Sequence, residues 1–159
     1  MQVAKTDMKK TKSGKYIDWT PIFDIKNSGY FAGVDKDGNW FADSAEGLKS
    51  MNEGGGIGIL PILEMTRAEF DSYLNEKIKQ SDLKTDSKLL ELANKIMRLS
   101  FGISTYWAEL GIEWLNESEI DSDLETKLSY LIEEKKYSQK FRHKAFSKIK
   151  QYEKKKTST

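Results

Sequence analysis

A chain of 159 residues with 38% hydrophobic and 11% aromatic content carries enough apolar material for a real core. Its 26 Lys/Arg and 25 Asp/Glu nearly cancel, which excludes an overall field that gathers DNA or anionic membrane. The absence of cysteine excludes disulfides, thiol catalysis and Cys-ligated zinc or iron–sulfur centres, and fits a reducing compartment.

Residues 1–15 are rich in Lys and Thr and poor in apolar side chains. They read as a mobile basic arm, with no apolar core that would make a secretory signal. Residues 16–25 carry aromatic and β-branched side chains and predict a strand, bent or placed at an edge by Pro21. Asn27-Ser28-Gly29 marks a turn. Residues 30–34 and 39–42 then read as a hairpin with Asp-Gly at its tip. Residues 44–48 suggest one helical turn. Gly54, Gly55, Gly56 and Gly58 suggest a flexible connection into a short buried strand or extended segment at 59–63. The apolar run 57–63 is too short to span a bilayer.

Thr66 with Glu69 three residues on is a capping box, and Phe70, Leu74 and Ile78 supply the stripe of the helix it opens. In residues 87–116, Leu89, Leu92, Ile96, Leu99, Ile103, Tyr106 and Leu110 alternate at steps of three and four, the spacing of one helical face. The register holds across Gly102, which predicts one long central helix. Ile96, Leu99, Ile103 and Leu110 are expected to be buried, and truncating Ile103 to Ala would then cost about 2–5 kcal/mol. Ser122 with Glu125 reads as a second capping box, followed by Leu124, Leu128, Leu131 and Ile132. A last helix over 138–152 places Tyr137, Phe141, Ala145, Ile149 and Tyr152 on one side, and 154–159 should fray. The expected fold is α+β: a small N-terminal antiparallel sheet with a hairpin, then a four-helix region around a long central helix. It forms a single domain over 16–153.

Residues 35–46, DKDGNWFADSAE, place Asp35, Asp37, Asn39, Asp43 and Glu46 at loop positions one, three, five, nine and twelve. In these twelve residues the segment resembles the calcium loop of EF-hand proteins, which implies oxygen ligands around a calcium ion. The sixth position, where that loop needs glycine, is Trp40, and the entering segment reads as a strand. A tight Asp/Gly turn without calcium is the expectation. The run at 54–58 lacks the Lys-Ser/Thr ending of a phosphate loop. His143, the only histidine, lies between Arg142 and Lys144 and reads as an exposed surface group. No catalytic residue, metal site or cofactor is expected.

Charge is segregated more sharply than any motif. Residues 109–134 hold nine acids against Lys127, and residues 135–156 hold ten Lys/Arg against Glu153. These blocks either neutralise each other when the helices pack, with 135–150 folding back over the acids, or form interaction surfaces. Three function classes follow. The first is a small protein-binding module, most concretely a cytoplasmic bacterial immunity or inhibitor protein that masks a basic cognate toxin or nuclease. Its contact surface would be Glu113, Glu117, Glu119, Asp121 and Asp123, with Trp114 and Tyr106 as aromatic anchors. The second is a nucleic-acid-binding protein using the Lys-rich C-terminal helix, with weak, salt-sensitive binding. The third is an enzyme with an unrecognised carboxylate site, for which Glu113, Glu117 and Asp121 are the available groups. No membrane partner is expected.

Overall fold

The computed structural model describes residues 7–158. Five strands precede the helices, so the chain is mixed α+β. Its residues group into two compact units, Met1–Ile96 and Met97–Thr159. No helix among the described residues is long and apolar enough to cross a membrane.

The first unit opens with an antiparallel sheet in the order β1 (Asp7–Lys10), β2 (Tyr16–Asp24), β3 (Phe31–Asp35), β4 (Trp40–Ala42) and β5 (Lys49–Ser50). Residues 7–10 were expected in a mobile arm. They instead form a strand paired with β2, from Asp7 opposite Trp19 to Lys10 opposite Tyr16. Their side chains are largely exposed, so apolar patterning gave no sign of a strand whose stabilisation is backbone pairing. Of the rest of the expected arm, residues 11–15 form the turn into β2, Thr11 N–H donating to the Lys15 carbonyl (2.7 Å), and residues 1–6 lie outside the described residues. Beyond β1, Lys12 N–H donates to the Leu48 carbonyl (2.9 Å) and Leu48 N–H to the Lys10 carbonyl (3.0 Å). These bonds draw the two outer strands toward each other and curl the sheet.

Pro21 lies in β2, an inner strand flanked by β1 and β3. A register shift between Pro21 and Phe23 accommodates the missing N–H, as a bulge does. Opposite Pro21 is Gly33, where a Cβ would sit 2.8 Å from both the Pro21 Cα and the Trp19 ring. Only glycine lets the two strands approach there with the indole across them. The turn joining β2 to β3 holds Lys26 (φ 51°) and Asn27 (φ 59°) in the left-handed region.

Between β3 and β4, the Asp35 carboxylate accepts from the backbone N–H groups of Asp37 and Asn39, both at 2.9 Å. Trp40 follows as a buried strand residue whose Nε1–H donates to the Leu89 carbonyl (3.2 Å). Residues 44–48 do not make the expected helical turn. Ser44 Oγ donates to the Gly47 carbonyl (2.7 Å), closing a bend that feeds β5.

The glycine run is helical, not a flexible connection, and 59–63 is not extended. Gly54 (φ 96°) ends a single 3-10 turn, and Gly55–Ile59 then forms α1, continued by a 3-10 turn over Leu60–Glu64. Gly55 packs directly onto the Lys49 carbonyl, where a Cβ would clash with backbone. Gly55 therefore serves close approach, which a count of flexible residues does not distinguish from a linker.

Helix α2 (Arg67–Gln80) starts with the expected capping box. Glu69 N–H donates to Thr66 Oγ1 and Thr66 N–H to Glu69 Oε1, each at 3.1 Å. Its stripe of Phe70, Leu74 and Ile78 is buried. Phe23, only 1% exposed, meets Phe70 and Tyr73 edge-on at centroid distances of 5.8 Å and Trp40 at 6.0 Å.

The expected long central helix is three helices: α3 (Ser87–Leu90), α4 (Leu92–Ser100) and α5 (Thr105–Trp114). Asp86 caps the first, accepting from Leu89 N–H (2.9 Å). After α4, Gly102 N–H bonds back only to the Leu99 carbonyl (3.1 Å). Ser104 is fully extended and its Oγ caps α5 by accepting from Trp107 N–H (3.3 Å). A serine cap two residues past a glycine outcompeted the apolar register. The register is lost with it. Ile96 is buried as expected, but Leu99 and Leu110 are half-buried and Ile103 is 40% exposed in the turn.

In the second unit, α5 is followed by α6 (Ser122–Ile132) and α7 (Gln139–Thr157). The cap of α6 is Asp121, which accepts from Leu124 N–H (2.9 Å), one residue before the expected Ser122. Ser138 caps α7, and Phe141, Ala145 and Ile149 are its buried stripe. The helix continues past 152, so residues expected to fray are helical through Thr157.

Two outcomes follow. Phe23→Ala should cost about 3–5 kcal/mol in chemical denaturation, whereas Ile103→Ala should stay below about 1 kcal/mol. Equal costs would mean that the turn at 101–104 is not formed in solution. In calorimetric titration, the 35–46 loop should show no calcium affinity in the micromolar range. Asp35 is engaged by its own turn, Asp43 by Lys9 at 2.6 Å, and Glu46 by Lys12 and Lys49.

Candidate partner-binding groove

Helices α5 and α7 of the second unit leave a groove of about 450 Å³ between them. Tyr106, Leu110 and Phe141 give it apolar walls, Glu109 and Glu113 line the α5 side, and Lys140 and Lys144 line the α7 side. Phe141 reaches the groove from the buried stripe of α7, and Leu110 from a half-buried position on α5. Tyr106 stands at the first turn of α5, one turn above Leu110, and is 53% exposed. Its ring meets Trp107 edge-on at 4.7 Å.

The five acids of the expected contact surface occupy five different environments. Glu113 Oε1 accepts from Lys144 Nζ across the groove. That hydrogen bond, with added attraction from Lys144, Lys140 and Lys148, holds its carboxyl below the usual glutamate range against the opposing effect of desolvation. Glu117 pairs with Lys155 at 3.0 Å. Glu119 turns inward on its own chain, accepting from Asn116 N–H at 3.2 Å. Asp121 is both the cap of α6 and the partner of Arg98 at 3.1 Å, and these bonds lower its pKa, the Arg98 bond first. Asp123 stands exposed in the first turn of α6. Trp114 is 2% exposed, so its ring contributes to the interior and offers almost no surface to a partner.

Two residues central to this region were not among the expected site residues. Lys148 reaches over from α7 and donates to the carbonyls of Ile112 (2.8 Å) and Leu115 at the C-terminal end of α5. Burial lowers its pKa, and the neighbouring Lys144 charge adds to this. Arg98 donates to the Glu119 carbonyl (2.7 Å) as well as to Asp121, tying the loop before α6 to α4. The position of Lys148, one turn beyond Lys144 and three residues after buried Ala145, was a legible hint. Nothing local marked Arg98.

Chemically, the groove offers an apolar floor with the Glu113–Lys144 ion pair at its rim. A carboxylate bonded to an ammonium stays ionised at neutral pH, which disqualifies Glu113 as a general acid and leaves it a weak base. His143 is exposed on α7 and lies outside the groove. No protein-family model, curated protein or solved structure matches the chain.

The lowered pKa values of Glu113 and Asp121 set a pH dependence. Their contribution is present above the ordinary carboxylate range of about 4 and is lost as pH falls through their lowered folded values. Melting temperature should therefore drop on acidification below about pH 4. Glu113→Gln should flatten that drop, and an unchanged acid limb in this variant would contradict the Lys144 pairing.

Proposed function

We propose that this chain is a protein-binding module whose groove between α5 and α7, acidic along its α5 side, receives a basic segment of a partner protein. The observation that carries the reading is the exposed Tyr106 at the mouth of an apolar groove edged by Glu109. An aromatic ring beside a half-apolar cleft is the arrangement from which interfaces draw most of their affinity, while rim charges steer the approach. The fixed Glu113–Lys144 pair favours recognition over proton-transfer chemistry. A small cytoplasmic inhibitor, such as an immunity protein masking a bacterial toxin or nuclease, is the concrete form of this class that suits an exposed aromatic ring beside unpaired acids such as Glu109.

The internal ion pairs narrow the expected contact set. Tyr106, Glu109 and Asp123 are the side chains presented outward for a partner. Glu117 and Asp121 act mainly in holding the segment between α5 and α6 in place.

The test compares two variants in capture from native host lysate, with melting temperature read alongside. Tyr106→Ala combined with Glu109→Lys should lose the captured basic protein at unchanged melting temperature. Asp121→Lys should lower the melting temperature, because it removes a helix cap and an Arg98 partner. A basic protein still captured by the first variant would place the contact elsewhere and refute the groove.

A further inference from the structure

The lysines of α7 divide between two sides of the helix. At 100° per residue, Lys144, Lys148 and Lys155 fall on one flank, and all three are occupied within the unit: by Glu113, by the α5 carbonyls and by Glu117. The outward side carries His143, Phe146, Lys150 and Lys154 at steps of three and four. Phe146 is 51% exposed, an unusual position for a phenyl ring on a helix this polar. Lys150 Nζ stands 5.3 Å from the centre of that ring and 3.5 Å from Glu153. Beside the ring is a shallow cavity of about 310 Å³ edged by Ile132, Gln139, Arg142 and His143. Arg142 Nε is buried with no hydrogen-bond partner.

We infer that this outward side of α7 binds single-stranded nucleic acid, a second binding activity separate from the groove. An exposed ring interleaved with cations is the combination that non-sequence-specific single-strand binders use: the ring stacks on a base and the ammonium groups follow the phosphates. Phe146 is the stacking platform, Arg142 and His143 line the recess beside it, and Lys150 and Lys154 continue the cationic track along the helix axis. An unpaired strand is the chemistry that fits. A base inside a duplex keeps both faces stacked and has none to offer the phenyl ring. Few phosphates are engaged and the net charge of the chain is only +1, so the affinity is modest, and because those few contacts are ionic it falls with added salt.

Fluorescence anisotropy with a labelled 15-nucleotide oligouridylate and the full chain tests this directly. The wild type should bind at 50 mM salt with a dissociation constant on the order of 1–100 µM and weaken at least tenfold by 200 mM. A duplex of equal length should bind several-fold more weakly. Phe146→Leu, which keeps apolar bulk but removes the ring, should lose fivefold or more, whereas Phe146→Tyr should retain binding. Lys150→Glu should weaken binding and flatten the salt dependence. Absence of binding at 50 mM salt, equal affinity for duplex, or full affinity in Phe146→Leu would each overturn the inference. So would equal affinity for a polyglutamate peptide of the same charge, which would identify a surface for acidic protein.

Discussion

The end of a helix leaves carbonyl oxygens without intrahelical partners, and burying such an end requires donors from elsewhere in the fold. In the second unit that requirement falls on Lys148. Its ammonium serves two carbonyls at the C-terminus of α5, where a positive charge also complements the helix dipole. The contact fixes the rotation of α7 about its own axis. Once Lys148 faces α5, helical spacing carries Lys144 to Glu113 and Lys155 to Glu117, while Phe146 and Lys150 are turned outward. The division of α7 into an occupied flank and a presented flank thus descends from a backbone hydrogen-bonding need. The depressed pKa of Lys148 is the accompanying cost of placing an ammonium where water is scarce.

The first unit is governed by a different constraint, closeness of backbones. Gly33 lets β2 and β3 draw together over Trp19, and Gly55 lets α1 rest on the Lys49 carbonyl. Phe23 is then enclosed by Trp40, Phe70 and Tyr73. Aromatic rings meeting edge-on fill such a space at high density and add attraction beyond their buried area. The two units therefore illustrate two solutions to chain packing, one dominated by ring contacts and absent side chains, the other by charge-assisted hydrogen bonds.

What the sequence made legible follows the range of the interactions concerned. The Thr66–Glu69 capping box and the stripes of α2, α6 and α7 are local, and each was readable from spacing alone. The α+β character was readable as well. The break at 101–104 was not, because an apolar pattern in steps of three and four survives a short turn, while the deciding facts were Gly102 and the Ser104 cap. Strand β1 was hidden because backbone pairing with β2 leaves no trace in side-chain hydrophobicity. At the candidate site, the acidic segment was visible as composition, but its partners lie 23 to 38 residues away in sequence. Trp114 shows the same limit from the other side: a tryptophan beside acids looks like an anchor until the fold places it inside.

The turn between β2 and β3 has an implication for how this fold holds its stability. Lys26 and Asn27 both sit in left-handed backbone, and Lys26 has a β-carbon that disfavours it by about 1 kcal/mol or more. A chain selected for maximal robustness would place glycine or asparagine there, as tight hairpin turns prefer. The native sequence instead carries unspent stability at an exposed, chemically simple position far from the α5–α7 groove in sequence. That makes the turn a natural place from which to offset destabilising changes elsewhere, and so to widen the range of surface sequences the scaffold tolerates.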